Sequence, residues 1–238
     1  MNEVERKELE QVRAQVAWED VMSNYDAPRE AKDEIFKHIL TEYNSGRAYH
    51  NLDHVMNMLT VLEKVKPSAQ NYNTLRLAVW FHDVIYDATN SDENEDKSAR
   101  VAEKSLPLLN VPVDEVAEVA RLVRMTKEHN AKEDDNDGLL LVDADFAILG
   151  SDSETYMKYA QGIRQEYKKY NDKEFAVGRI NVLTGFLNRE SIFHHQSIKG
   201  LLEERARENM KREIEILQEQ ARRYDETKNL YFDDPAKN

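Results

Sequence analysis

The chain has no cysteine, and only 7 glycines and 5 prolines in 238 residues. Without thiols there is no disulfide framework and no thiolate to bind metal or attack a substrate, a pattern that fits the cytosol. Scarce chain-breakers disfavour a turn-rich β architecture and favour long helices. No stretch approaches the roughly 20 apolar residues that a membrane-spanning helix needs. The opening segment, Met1 to Trp18, is charged throughout and lacks the apolar centre of a signal peptide. A cytoplasmic location with no membrane partner is the expectation. Clustered positive charge is also missing: 33 basic against 46 acidic residues leave a net charge of −13. Such a surface repels phosphodiester polymers, so long nucleic acid is not an expected partner. A small phosphorylated ligand stays open, because a bound cation and a few arginines can reverse the sign of one pocket.

What the chain does have is helical periodicity. Ile35, Phe36, Ile39, Leu40 and Tyr43 share a face, and Asn44-Ser45-Gly46 ends that segment. Asn51 is placed to cap the next helix, which carries Val55, Leu59 and Leu62 until Pro67 stops it. Leu75, Ala78, Val79, His82 and Ile85 form a third buried face. A polar connector, Asn90 to Asp96, leads to a helix through Ala102 toward Leu106, and Val113, Val116, Ala117 and Ala120 mark another. Lys132 to Gly138 reads as an exposed loop and Leu139 to Leu149 as a buried helix ended by Gly150. Ser151 with Glu154 reads as a capping box, and Asp172 as the cap of the helix after that. The last helix, about Ile198 to Arg223, has a thin apolar stripe that packs on the domain or on a second subunit, which makes a homodimer one expectation. The expected architecture is all-α: one domain over 1–224 with helical extensions at both ends, then a loosely ordered tail over 225–238.

Seven histidines are present, and their surroundings differ. His38 falls among polar positions, and His194 and His195 lie in a short segment between helices. His50 and His54 are four residues apart, and His54 lines up with Met58, Val61 and Val65. Taken singly, a histidine on an apolar face is more often a satisfied core residue than a ligand. The pair His82-Asp83 changes that balance, because it lies in the apolar run Leu77 to Ile85. An ionised aspartate there is costly without a cation or several donors, and Asp145 poses the same problem inside Leu139 to Leu149. Imidazole nitrogen with carboxylate oxygen suits Mn, Fe, Co, Ni or Zn, with Mg also compatible.

The ordered strings Tyr49-His50-Asn51-Leu52-Asp53-His54, Phe81-His82-Asp83 and Asp143-Ala144-Asp145-Phe146 resemble the metal signature of the HD-domain superfamily of metal-dependent phosphohydrolases. The likeness covers roughly Arg47 to Gly150, and the first string is also similar to one in cyclic nucleotide phosphodiesterases. The resemblance implies a helical HD bundle, a divalent metal cofactor and hydrolysis of a phosphate ester or anhydride in a small phosphorylated metabolite such as a nucleotide. By that pattern His54, His82, Asp83 and Asp145 hold the metal, and His50 supplies a proton to the leaving group. Asp145 rather than Asp143 is favoured as the ligand because the superfamily aspartate typically follows an alanine; two positions are about 200° apart on a helix, so both cannot face one ion. Asp87, four residues after Asp83, is a candidate to orient a ligand or the attacking water. His129 is one extra histidine where two-metal members supply more, which favours a single ion with His129 at the substrate or behind a ligand. Arg164 and Arg179 lie on apolar faces and are candidate phosphate clamps; the plainer reading pairs each with a carboxylate such as Glu166 or Asp87. Two rivals are carried: a non-catalytic metal- or nucleotide-binding module, and an HD-type di-iron oxygenase.

Overall fold

The computed structural model describes residues 3–88 and 91–232, and among them there are α-helices and short 3-10 turns but no strand. The all-α expectation holds. The chain divides into two compact units, Met1–Asp145 and Phe146–Asn238, a boundary that periodicity did not reveal.

The first unit contains α1 (Glu3–Met22), α2 (Arg29–Tyr43), α3 (Leu52–Val65), α4 (Tyr72–Phe81), α5 (Asn94–Ser105), α6 (Val113–Met125) and most of α7 (Asn136–Phe146). Its centre is α4, which packs against α1, α3, α5 and α6 and buries every residue from Thr74 to Phe81. Trp18 stacks on Phe36 at 5.8 Å, and Trp80 meets both rings edge-on at 5.7 and 5.9 Å. Aromatic pairs of this geometry add to the burial of their large surfaces. Several buried polar groups on α4 find partners, though Arg76 Nε and Trp80 Nε1 do not. Glu115 accepts from Thr74 Oγ1 at 2.9 Å and from the Tyr25 hydroxyl at 2.6 Å, while Arg76 donates to Asp20 and Asn73.

Local chemistry explains where several helices begin. Asn51 does cap α3, its side chain accepting from the His54 N–H. Lys132 to Gly138 is not simply an exposed loop. Helix α7 already starts at Asn136, and Asp137 is buried, with its two carboxylate oxygens taking the N–H groups of Gln70 and Asn71 at 2.7 and 2.8 Å. Those donors have no intrahelical partner at the start of α4, so an acidic residue distant in sequence satisfies them.

The second unit holds α8 (Ser153–Glu166), α9 (Asp172–Leu187) and α10 (Gln196–Phe232). Two caps differ from expectation by one residue. Asp152, not Ser151, caps α8 through the N–H groups of Glu154 and Thr155, and Asn171, not Asp172, forms a capping box with Glu174. Gly150 ends a 3-10 turn at Ala147–Gly150, and close approach is what requires it to be glycine. A Cβ there would lie 2.6 Å from the Leu202 Cβ and 2.7 Å from its carbonyl oxygen. The last helix continues to Phe232, past the expected end at Arg223, and 233–238 of the expected tail lie outside the described residues.

Arg179 and Glu213 form a buried pair in this unit, with Nε to Oε1 at 2.9 Å and Nη2 to Oε2 at 3.2 Å. Tyr156 donates to Glu213 at 2.5 Å, and Tyr159 accepts from Arg179 at 2.9 Å. Arg164 likewise donates to Asp172 at 2.7 Å and to the carbonyls of Tyr167 and Tyr170, tying the α8–α9 turn. Both guanidinium groups are thus committed to carboxylates, though to Glu213 and Asp172 rather than Glu166 or Asp87. Breaking a buried ion pair leaves a bare charge, which typically costs about 3–5 kcal/mol, whereas replacing both members with apolar groups can be neutral. Glu213→Gln is therefore expected to lower the urea midpoint strongly, and Arg179→Met with Glu213→Leu to recover most of it. Equal losses from the single and double variants would count against this account.

Candidate metal centre

Three elements of the first unit bring the expected residues together. His54 lies in the first turn of α3, His82 is the C-cap residue of α4 and Asp145 is on the last turn of α7. Helix α4 ends at Phe81, so Asp83 stands on the turn that leaves it. That turn lets an adjacent His-Asp pair address one point, which a continuing helix would not.

The two imidazoles meet at their Nε2 atoms, 3.2 Å apart. Asp83 Oδ2 lies 3.1 Å from His82 Nε2, and Asp145 Oδ1 lies 3.1 Å from His54 Nε2. His54, His82 and Asp83 are buried, and one ligand atom from each lies within 4.8 Å of the others. The far side of each ring is also engaged. His82 Nδ1 is 2.8 Å from the Val79 carbonyl, which can only accept, so Nδ1 carries a proton. The Tyr49 hydroxyl is 3.0 Å from His54 Nδ1.

If both Nε2 atoms are bare, two lone pairs face each other. If both are protonated to serve the carboxylates, two N–H groups crowd the same gap. One proton lets His82 Nε2–H donate to His54 Nε2, but the remaining lone pairs of His54 and Asp145 then face each other at 3.1 Å. A cation taking both lone pairs would remove the crowding, and the outer contacts to Val79 and Tyr49 are of the kind that would orient imidazole ligands.

His129 belongs to the same cluster, its Nε2 lying 2.7 Å from Asp145 Oδ2. Its backbone is left-handed, with φ at 46°, a conformation less favourable for a residue with a Cβ. Asp145 thus spans His54 and His129. Asp143 is fully buried on the same helix.

His50 is half-buried on the segment before α3, its ring stacked on Tyr86 at 4.0 Å and 5.9 Å from the His54 ring. Asp87 is exposed on the stretch after the His82-Asp83 turn, so helical four-residue spacing does not relate it to Asp83. Its main chain is held at both N–H and carbonyl by Asn94. Arg164 and Arg179 belong to the second unit and are engaged as described above.

The chain matches no protein family model and no curated protein.

Sequence reasoning weighed Arg47 only as a weaker phosphate candidate beside the motifs, and it missed Glu95. Arg47 donates to the carbonyls of Asp83 and Val84, behind the carboxylate. Glu95, in the first turn of α5, has a buried Oε2 with no hydrogen-bond partner. Burial and the Asp83 charge push its carboxyl up from the ordinary value, against Lys127 and His129, which pull it down. Glu95 stood in a stretch that read as a polar connector, where one acidic residue among many carries no signal.

The cluster's own charges shift strongly. Burial would lower the His82 imidazole, but Asp83 beside it, with Asp145, raises it to about 9. Burial lowers His54, outweighing its bond to Asp145. Burial would raise Asp83, yet His82 holds it far below the usual range, and His129 and His54 do the same for Asp145. Each shift has a sign in stability. Raised His82 stabilises below its unfolded value of 6.5, and that contribution is lost as pH rises through about 9. Lowered His54 stabilises above 6.5 and loses that contribution as pH falls; the carboxylates lose theirs at still lower pH. The metal-free protein should therefore be most stable near neutrality, with its urea midpoint falling on both sides. His82→Gln should flatten the alkaline side and, because Asp83 loses the charge that holds it down, part of the acid side as well. An unchanged alkaline limb in that variant would contradict the assignment.

Proposed function

We propose that this chain is a metal-dependent phosphohydrolase acting on a phosphate ester or anhydride of a small phosphorylated metabolite, with a nucleotide as the favoured class. One observation carries the metal half of the reading: two imidazole Nε2 atoms 3.2 Å apart, flanked by two carboxylates at 3.1 Å, in a buried site. The resemblance of the His50–His54, His82-Asp83 and Asp143–Asp145 strings to the HD superfamily carries the reaction class. A divalent ion held there supplies positive charge that acidifies water and polarises a phosphoryl oxygen.

The protein's own groups divide the remaining work. His54, His82, Asp83 and Asp145 form the ligand set, Tyr49 and Val79 fix the two rings, and His129 fixes Asp145. Stacked against Tyr86 at the edge of the cluster, His50 is the acid that protonates the leaving oxygen. A positioned acid of this kind contributes about 10²–10⁴-fold. Asp83 anchors the site from the turn after α4, and Asp87 orients water or substrate from the stretch beyond it. The donor set of two imidazoles and two carboxylates admits Mn, Fe, Co, Ni or Zn, and Mg with more water in its shell. One ion per chain is proposed, since His129 is already spent on Asp145.

The test is a hydrolysis screen of protein reconstituted with each divalent metal, run against a panel of phosphorylated metabolites with His82→Ala as control. Activity should need metal and vanish in the control. His50→Gln should bind metal as the parent does yet turn over about 10²–10⁴-fold more slowly. A parent inert with every metal and every substrate class would overturn the reading, as would His50→Gln at full speed for the acid role.

A further inference from the structure

Behind the His82-Asp83 turn lies a buried cation that the proposed hydrolysis does not use. The Arg47 side chain is 7% exposed. Its Nη1 donates to the Asp83 carbonyl and lies 3.5 Å from the His50 carbonyl, and its Nη2 donates to the Val84 carbonyl at 2.9 Å. Its guanidinium carbon is 5.4 Å from the centre of the Tyr43 ring and 5.8 Å from that of Tyr86. Tyr86 is the ring on which His50 stacks. A carboxylate oxygen of Glu42 lies 3.8 Å away, beyond hydrogen-bond reach.

Helix α4 ends at Phe81, so the carbonyls just past it lack donors from a following turn. One neutral donor could satisfy either carbonyl. A planar fork spanning two consecutive carbonyls does more, because it fixes the peptide plane between Asp83 and Val84. The direction of the Asp83 carboxylate follows from the backbone that carries it. The same fork reaches the main chain of His50, and the cation faces the ring that His50 leans on. One side chain therefore joins the carboxylate side of the cluster to the histidine at its edge.

We infer that Arg47 is a positioning residue of the metal centre, its guanidinium fork holding the Asp83–Val84 peptide and the His50 segment in one frame. The inference rests on the metal reading above and concerns affinity for the ion before any chemistry. Residues that orient a ligand from behind typically change metal affinity by about 10–100-fold.

The experiment titrates Mn²⁺ and Zn²⁺ into the full-length metal-free protein by calorimetry, with helicity and thermal midpoint recorded for every variant. Arg47→Ala is expected to stay helical and to bind about 10–100-fold more weakly. Arg47→Lys keeps the charge but not the fork, and should bind nearly as weakly. Millimolar guanidinium should restore part of the affinity of Arg47→Ala, and methylammonium should not. Parental affinity in Arg47→Ala overturns the inference, as does full recovery in Arg47→Lys or equal rescue by methylammonium, either of which would make charge alone sufficient. If Arg47→Ala does not fold, Arg47→Lys carries the same comparison. A parent that binds neither ion fails differently: it removes the metal reading itself, and the inference with it.

Discussion

Two imidazole Nε2 atoms 3.2 Å apart, each with a carboxylate oxygen at 3.1 Å, leave more lone pairs in one gap than a single shared proton satisfies. Much of the first unit is arranged around that constraint. The start of α3, the end of α4 and the end of α7 converge there, and each contributes through its terminal turn rather than its middle. Terminal turns suit this purpose. Their backbone groups are not all spent inside the helix, so main chain and side chain can be fixed independently. His82 shows this: its N–H still closes the last helical turn onto Ala78 while its ring donates backward to Val79.

Holding such a cluster without a cation is expensive, and the cost appears as opposing shifts in neighbouring groups. Burial would make every member neutral, yet His82 and Asp83 stabilise each other as an ion pair, and His54 is left as the neutral ring. Glu95 shows the same tension from outside, a half-buried carboxyl pushed up by burial and by the Asp83 charge. The left-handed backbone of His129 adds local strain in the same place.

Helical periodicity made most of the fold legible. Apolar spacing located α2, α3, α4, α6, α8 and α9, because amphipathic helices announce the face they bury. The candidate centre was legible for a different reason: His82-Asp83 and Asp145 are charges inside apolar runs, and such positions need a compensating partner wherever they fold. What stayed hidden depends on groups distant in the chain. Asp137 looked like one more acid in a polar loop, and only its approach to Gln70 and Asn71 makes it a helix cap. Caps were misplaced by one residue at Asp152 and Asn171, where neighbouring residues could also cap and the backbone decided between them. Arg164 and Arg179 were candidates for phosphate on the same logic that exposed Asp145. A guanidinium on an apolar face needs a partner, but sequence does not say whether that partner is a ligand or Glu213.

That last ambiguity separates the two kinds of buried charge in this protein. In the second unit, Arg179, Glu213, Tyr156 and Tyr159 satisfy one another, with donors matched to acceptors and opposite charges paired. Such a network stabilises its fold and asks for nothing further. In the first unit, the imidazole and carboxylate groups satisfy their outer sides through Tyr49, Val79 and His129 and leave their inner sides in conflict. On the proposed reading, this asymmetric satisfaction, complete behind and incomplete in front, sets the cluster apart from a buried salt bridge. Arg47, on the same metal reading, donates to carbonyls rather than to the Asp83 carboxylate and so leaves the inner face to an ion.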